Sequence, residues 1–245
     1  MAFFNRNPNK FVTVHHNAIK IWQFDQKQKK LKYFDCPLGH IKRYILNISI
    51  DSIDESAYCG TRSGDILEIS LSKGIYKRSG PVDKKFGGAV NQIISEFKHL
   101  YVATQDGTIA RLDKKSLLIV GQTNFVNQGM SGLAASKSKL YMISDKGQVR
   151  SVPETADLKH TSVFMNGHFD EINSLQFPAN YASVFTSCSG DEIRVWSNMG
   201  KELLKIELLQ QNETDYAKCN CVELMADGKS IVSGWSDGKV RSFLP

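Results

Sequence analysis

The sequence contains no long apolar run. None of its hydrophobic stretches approaches the roughly 20 residues with which an α-helix crosses a bilayer, and the opening MAFFNRNPNK lacks the apolar core and cleavage site of a secretory signal. We therefore expect a cytoplasmic protein without a membrane span or a membrane partner. The composition, 41% hydrophobic and 23% charged residues, is ordinary for a globular protein of 245 residues.

Paired cysteine motifs are also missing. The five cysteines are scattered without any CxxC spacing, at Cys36, Cys59, Cys188, Cys219 and Cys221. Reduced, buried thiols explain an odd number of scattered cysteines better than disulfides or zinc do. Cys219 and Cys221 lie two apart in a predicted strand and should face the same side, but no histidine pattern accompanies them. The sequence therefore predicts no metal site.

Recognisable catalytic motifs are missing. GMSGL around Ser131 departs from the GxSxG nucleophile elbow, and ADGKS from Ala226 lacks the first glycine of a phosphate loop. His15 and His16 are adjacent, so on a strand they should point to opposite faces. We therefore expect a protein that is not an enzyme and has no catalytic residue, no cofactor and no small-molecule substrate.

The charge is mildly basic, with 31 basic and 25 acidic residues and a net charge of +6. Its densest cluster, QKQKKLK from Gln26 to Lys32, reads as a solvated connection between two strands. No platform of aromatic residues interleaved with basic ones can be assembled, as a nucleic-acid surface would require. The sequence therefore predicts no nucleic-acid partner.

What the chain does contain is a repeated unit of a tight polar turn followed by a short apolar strand. The six strands read AIKIW, DILEI, TIARL, QVRSV, EIRVW and KVRSF, and equivalent residues lie 40 to 47 apart, at Ile19, Ile66, Ile109, Val149, Ile193 and Val240. The turns before most of these strands carry Gly with Asp, as hairpins require. This period is typical of four-stranded propeller blades, and no segment predicts a helix. The predicted fold is all-β.

These residues resemble WD repeats. GHFDEINSLQFP, SGDEIRVW and ADGKSIVSGWSDGKVRSF carry the glycine-histidine opening and strands that end in an aromatic residue, and Trp22 and Trp196 occupy the terminal tryptophan position. The resemblance implies structural roles for these tryptophans, for His168, and for Asp191 and Asp237 in the hairpin turns. No repeat contains the whole consensus set of histidine, serine or threonine, aspartate and tryptophan, because Asp191 lies one position late.

A closer resemblance covers nearly the whole chain. The ordered blocks GHIKRYILNISID, YCGTRSGDILEI, GPVDKKF, VFMNGHFDEINSLQFP, DEIRVW and KELLKI are similar to the middle of a family of two-propeller WD-repeat proteins of cilia and flagella. The resemblance implies a microtubule inner protein of the axonemal cytoskeleton, whose partners are tubulin of the doublet microtubule and other inner proteins. The alternative is a general WD-repeat adaptor that recruits peptides or subunits into a signalling or ubiquitin-ligase complex.

The same resemblance suggests a division of the chain. We expect residues 1–165 to form the last four blades of one propeller and residues 166–245 to form the first two blades of a second. About six four-stranded antiparallel blades are then present, incomplete at both ends; the alternative is six blades that close on themselves. Loops between strands form the exposed faces of a propeller, so the candidate partner contacts are loop cations: Arg43, Arg62, Lys84 and Lys85.

Overall fold

The computed structural model describes residues 1–96, 98–125, 128–136, 138–154, 157–178, 183–208 and 217–244. Over these ranges the chain is all-β, as predicted, and contains no helix. A helix long and apolar enough to cross a membrane is accordingly absent from this part of the chain. The chain divides into two compact units, Met1–Asn166 and Gly167–Pro245.

The first unit contains four sheets of four antiparallel strands, and each sheet follows the order of the chain. Sheet 1 consists of β1 (Ala2–Phe3), β2 (Lys10–His15), β3 (Ala18–Asp25) and β4 (Lys30–Asp35). Sheet 2 consists of β5 (Ile45–Ile50), β6 (Ser56–Thr61), β7 (Ile66–Ser70) and β8 (Ile75–Gly80). Sheet 3 consists of β9 (Val90–Glu96), β10 (His99–Thr104), β11 (Thr108–Asp113) and β12 (Ile119–Asn124). Sheet 4 consists of β13 (Met130–Ser136), β14 (Lys139–Ser144), β15 (Gln148–Pro153) and β16 (Ser162–Asn166).

Neighbouring sheets of this unit pack face to face. The first strands of sheets 2, 3 and 4 contact one another in turn, β5 with β9 and β9 with β13. Sheet 2 shows how its central strand β6 is buried on both faces: Cys59 belongs to the core shared with sheet 1, whereas Tyr58 belongs to the core shared with sheet 3. Successive side chains of a strand alternate between faces, so the two neighbouring sheets together cover β6.

The second unit contains two sheets. Sheet 5 is formed by β17 (Ile172–Gln176), β18 (Val184–Ser189), β19 (Glu192–Ser197) and β20 (Glu202–Glu207). Sheet 6 is formed by β21 (Cys219–Leu224), β22 (Ile231–Trp235) and β23 (Val240–Phe243). Cys188, Ile193 and Val195 of sheet 5 pack against Val222 and Ile231 of sheet 6. The core of this unit therefore lies between the two sheets.

The six strands predicted from the repeat each occupy the third position of their sheet, as β3, β7, β11, β15, β19 and β23. The glycines predicted in the turns before most of these strands also adopt turn conformations. Gly107, between β10 and β11, has a φ of +87° and lies against the backbone carbonyls of Phe125 and Gln128, where a Cβ would not fit. Glycine is required at such a position because an L side chain is strained at positive φ and has no room there.

Candidate functional site

A chain of hydrogen bonds braces sheet 5. His168 precedes β17, Ser187 lies on β18, and Glu192 and Trp196 lie on β19, which pairs with β18 so that Ser189 opposes Glu192. The indole Nε1 of Trp196 donates to Ser187 Oγ over 2.7 Å, and Ser187 Oγ lies 2.6 Å from His168 Nε2. His168 Nδ1 lies 2.5 Å from Glu192 Oε1. The four side chains therefore tie the loop before β17 to the two central strands.

The protonation states of these four side chains follow from which of their atoms can donate and which can only accept. The carboxylate of Glu192 can only accept, so Nδ1 of a neutral His168 carries the proton and donates to it, and the Ser187 hydroxyl donates to the unprotonated Nε2 while it accepts from Trp196. Burial, together with the positive charge of Arg194, keeps the pKa of His168 below its ordinary value although Glu192 opposes both, and this favours the neutral form. A protonated His168 would instead donate from Nε2 to the Ser187 oxygen, which has two lone pairs and would then accept from both Trp196 and His168.

Glu192 is also the centre of a group of cations. Its side chain, 7% exposed, accepts from Arg194 Nη2 at 3.0 Å and from Lys205 Nζ at 3.2 Å. Burial would raise the pKa of Glu192, but these hydrogen bonds outweigh it and lower the pKa below its ordinary range. Arg194 in turn contacts Glu202 Oε2 at 2.7 Å and lies over the ring of Trp196. The carboxylate is therefore ionised and paired within the sheet.

The consensus set with aspartate is absent from this repeat, as the sequence indicates, but the glutamate Glu192 supplies the carboxylate in its place. Gly190 and Asp191 form the two-residue turn between β18 and β19, and Asp191 contributes a backbone carbonyl that accepts from Leu208 N at 2.9 Å. Glu192, the next residue, begins β19 and uses its longer side chain to reach His168. Sequence inspection for aspartate missed Glu192, and it missed Ser187 because serine is common in strands and turns.

The other two predicted structural residues make smaller sets of contacts. Trp22 Nε1 donates to Thr13 Oγ1 at 2.8 Å, and its ring stacks on Phe11 with a centroid distance of 5.8 Å. Asp237 accepts from Arg241 Nη2 at 2.7 Å and Nη1 at 3.0 Å, and this guanidinium holds the pKa of Asp237 well below its usual range. Both residues therefore brace their own sheets.

The four candidate contact cations lie around the turn between β6 and β7. Arg43 Nε and Lys85 Nζ contact Oδ2 of the buried Asp65 at 2.7 and 3.0 Å. Arg62 is exposed and lies over the ring of Tyr44, with 6.0 Å between its guanidinium carbon and the ring centroid. Lys84 is exposed. The four cations thus share one end of sheet 2, and sequence reasoning missed the carboxylate that organises two of them.

Two expectations about side-chain direction were wrong. His16 adopts a φ of +49°, which turns its ring toward its neighbour, so that His16 Nδ1 and His15 Nε2 lie 2.7 Å apart. Cys219 and Cys221 do not share an environment, because the pairing of β21 with β22 shifts register between them. Cys219 is buried against sheet 5, and Cys221 is exposed. In the part of the chain that the structure describes, no three potential ligands among His, Cys, Asp and Glu form a metal-binding group.

This chain is similar to known proteins. The WD domain, G-beta repeat, matches residues 158–197, which contain the hydrogen-bonded chain of sheet 5. The chain is 30% identical to cilia- and flagella-associated protein 52 of Chlamydomonas reinhardtii over 265 residues, covering 100% of this chain and 39% of that protein. It is also 30% identical to the Homo sapiens protein of the same name over 247 residues, covering 96% and 37%. The chain therefore spans about two fifths of the length of the curated relatives that it matches.

Solved structures agree on the fold. A chain of the mitotic checkpoint complex superposes with a TM-score of 0.56 at 11% identity, covering 100% of this chain and 86% of that one. The structure of U3-55K superposes with a TM-score of 0.57 at 16% identity, covering 99% and 76%. At such low identity these likenesses show the fold alone, and they confirm the predicted propeller blades.

Proposed function

Because the chain is a WD-repeat β-propeller protein, we propose that it acts by binding other proteins, as a non-catalytic structural component of the ciliary or flagellar axoneme. In this role it docks on tubulin and on neighbouring inner proteins in the lumen of doublet microtubules and stabilises the doublet. The observation that carries the proposal is the 30% identity to cilia- and flagella-associated protein 52, which extends over the whole chain.

The structure is compatible with docking without a chemical step. Each described sheet is fixed by a core shared with a neighbour, and side chains such as Asp65 and Glu192 tie loops and strands together through buried ion pairs. A protein that holds its loops in this way binds with little ordering cost. Many small complementary contacts along a lattice are then sufficient for stable assembly.

We also propose that the two units belong to two propellers. Residues 1–165 supply four blades to one propeller, and residues 166–245 supply two blades to the other. Two observations support this division: the chain forms two compact units, and the family that it resembles carries two propellers. Two propellers in one chain provide two separate docking bodies, which suits a protein that joins several components of a lattice.

Stepwise extraction of axonemes tests the proposed role. Axonemes from cells that express the tagged protein are treated first with 0.6 M salt and then with increasing sarkosyl, and each fraction is analysed by immunoblot. We expect the protein to stay in the sarkosyl-resistant doublet fraction together with tubulin. Release at mild salt, with recovery in a discrete soluble complex, would contradict the proposal and would favour the adaptor role.

A further inference from the structure

A basic surface lies at one end of sheet 2. It is formed by the loop before β5, the turn between β6 and β7, and the loop before β9, which carry Lys42, Arg43, Arg62, Lys84 and Lys85. We propose that this surface binds a carboxylate-rich peptide segment of a partner protein. The inference rests on the proposed binding function and names the chemistry of one partner.

A buried carboxylate fixes the positions of two of these cations. Asp65, with a side chain only 3% exposed, contacts both Arg43 and Lys85, and its pKa is lowered to about 2 because hydrogen bonds from Thr61, Arg43 and Lys85 outweigh the effect of burial. One ionised carboxylate therefore holds two cations and leaves a net positive charge at the centre of the surface. Charged groups held in place in this way bind an anion without a further ordering cost.

Backbone hydrogen bonds join the three loops. Arg62 N donates to Tyr44 O at 2.8 Å, which links the turn after β6 to the loop before β5. Phe86 N donates to Gly64 O at 2.9 Å, which links the same turn to the loop before β9. The cations of the three segments therefore keep their relative positions and form one surface.

The remaining cations are available to a partner. Lys42, Arg62 and Lys84 are exposed, and none of them forms an ion pair with a carboxylate of the described residues. Arg62 is supported by the ring of Tyr44 beneath it. Three unpaired cations around an already positive centre attract a partner with several carboxylates, and such charge complementarity selects the partner and speeds association.

Discrete carboxylates suit this surface better than a nucleic acid does. The turn between β10 and β11 carries Asp106, which lies against Gly87 and Gly88 at the edge of the basic loops, and the exposed Asp83 precedes Lys84. A continuous phosphate backbone would carry negative charge past both of these aspartates. A peptide can place its carboxylates over the cations and neutral residues beside the aspartates.

Binding of a labelled oligo-glutamate tests the inference. Fluorescence anisotropy of a fluorescein-labelled ten-residue glutamate peptide is measured with the chain at 50 and 200 mM NaCl. We expect saturable binding that weakens as salt increases. The double variant Arg62→Glu/Lys84→Glu should bind at least about tenfold more weakly, since each reversal replaces an attraction with a repulsion.

A matched control variant distinguishes the effect of these two positions from the effect of a change in net charge. Lys27→Glu/Lys30→Glu makes the same charge change on exposed residues around the turn between β3 and β4, and we expect less than a twofold effect. Thermal melts by circular dichroism confirm folding, and Arg62→Gln/Lys84→Gln replaces the first variant if that variant does not fold. Three results would overturn the inference: no binding to the unmodified chain, equal losses in both variants, or tighter binding of a ten-residue oligothymidylate that the surface variant abolishes.

The extraction assay separates this inference from the proposed function. A chain that stays in sarkosyl-resistant doublets but does not bind oligo-glutamate leaves the axonemal role in place and overturns the peptide surface alone. A chain that binds the peptide through Arg62 and Lys84 but leaves the doublets at mild salt supports the surface and contradicts the axonemal role.

Discussion

Replacing Glu192 with alanine should destabilise sheet 5 by about 3–5 kcal/mol, the usual cost of removing one partner from a buried ion pair. Glu192 accepts from His168, Arg194 and Lys205. The Arg194 side chain is 5% exposed, so its guanidinium would remain buried in the variant. Among the residues that the structure describes, Glu202 is the carboxylate that it would still contact. His168 Nδ1 would also lose its acceptor, and the link between the loop before β17 and the two central strands would be broken.

Two control variants separate the effect of burying the ion pair from the effect of the hydrogen bond to His168. Glu202 contacts the same guanidinium at 2.7 Å, but its side chain is 36% exposed; Glu202→Ala should therefore cost about 0.5–1 kcal/mol, as exposed pairs do. Glu192→Gln keeps an acceptor for His168 while it removes the negative charge. Its cost should lie between those of the two alanine variants, because the cations lose their counter-charge and the hydrogen bond remains.

Hydrogen exchange measured by mass spectrometry is the appropriate assay, because the chain has two compact units and global unfolding need not be two-state. The free energy of opening is read from peptides that cover β18 and β19, and peptides from β6 and β7 serve as an internal reference. We expect protection to fall in the first set and to stay constant in the second. A loss below about 1 kcal/mol for Glu192→Ala, or a loss equal to that of Glu202→Ala, would refute the reasoning from buried ion pairing.

The same network predicts that the stability of sheet 5 depends on pH. The folded-state pKa values of both His168 and Glu192 are lowered, so the unfolded state binds more protons and the stabilisation is lost as pH falls. The loss should begin below the ordinary histidine pKa of 6.5 and increase below the glutamate value of 4.5. Opening free energies of β18 and β19, corrected for intrinsic exchange rates, should decrease from pH 7.5 to 5.5. An increase over this range would indicate a charged His168 paired with Glu192.

Three other predictions concern separate parts of the chain. Asp65→Asn should cost about 2 kcal/mol at pH 7, since the pKa of Asp65 falls from 3.8 to about 2 on folding; in urea unfolding its deficit should shrink below pH 4, and a constant deficit would contradict this origin. Iodoacetamide at pH 8 should label Cys221 quickly and the four buried cysteines only after unfolding; mass spectrometry that finds two or more fast sites would contradict the burial pattern. Gly107→Ala should destabilise the first unit by at least about 1 kcal/mol more than Gly39→Ala, because both glycines have positive φ but only Gly107 faces nearby carbonyls; equal melting temperatures would show that these carbonyls move freely.

The strand pattern was predictable because it depends on local alternation. In AIKIW, Ile19 and Ile21 are buried in the core while Lys20 and Trp22 face the other side, and this alternation is visible in the letters alone. The glycine turns were predictable for a similar reason, since the φ of +87° at Gly107 is a backbone requirement that few residue types satisfy.

The contacts of the candidate site depend on register and on three-dimensional proximity, and much of this information is absent from the sequence. Glu192 replaces the expected aspartate only because the turn between β18 and β19 has two residues and places Glu192 opposite Ser189. The pairing of Arg43 and Lys85 through Asp65 joins residues that are 22 and 20 positions from that carboxylate. His15 and His16 meet because one backbone dihedral is positive, which adjacency in a strand does not predict.

Cross-linking of intact doublet microtubules tests the proposed axonemal role most directly. Purified doublets are treated with a lysine-reactive cross-linker, and the linked peptides are identified by mass spectrometry. The account predicts links from exposed loop lysines of this chain, including Lys84, to tubulin residues that face the lumen or to other luminal proteins. Links found only to proteins of the soluble fraction, with none to doublet components, would contradict it.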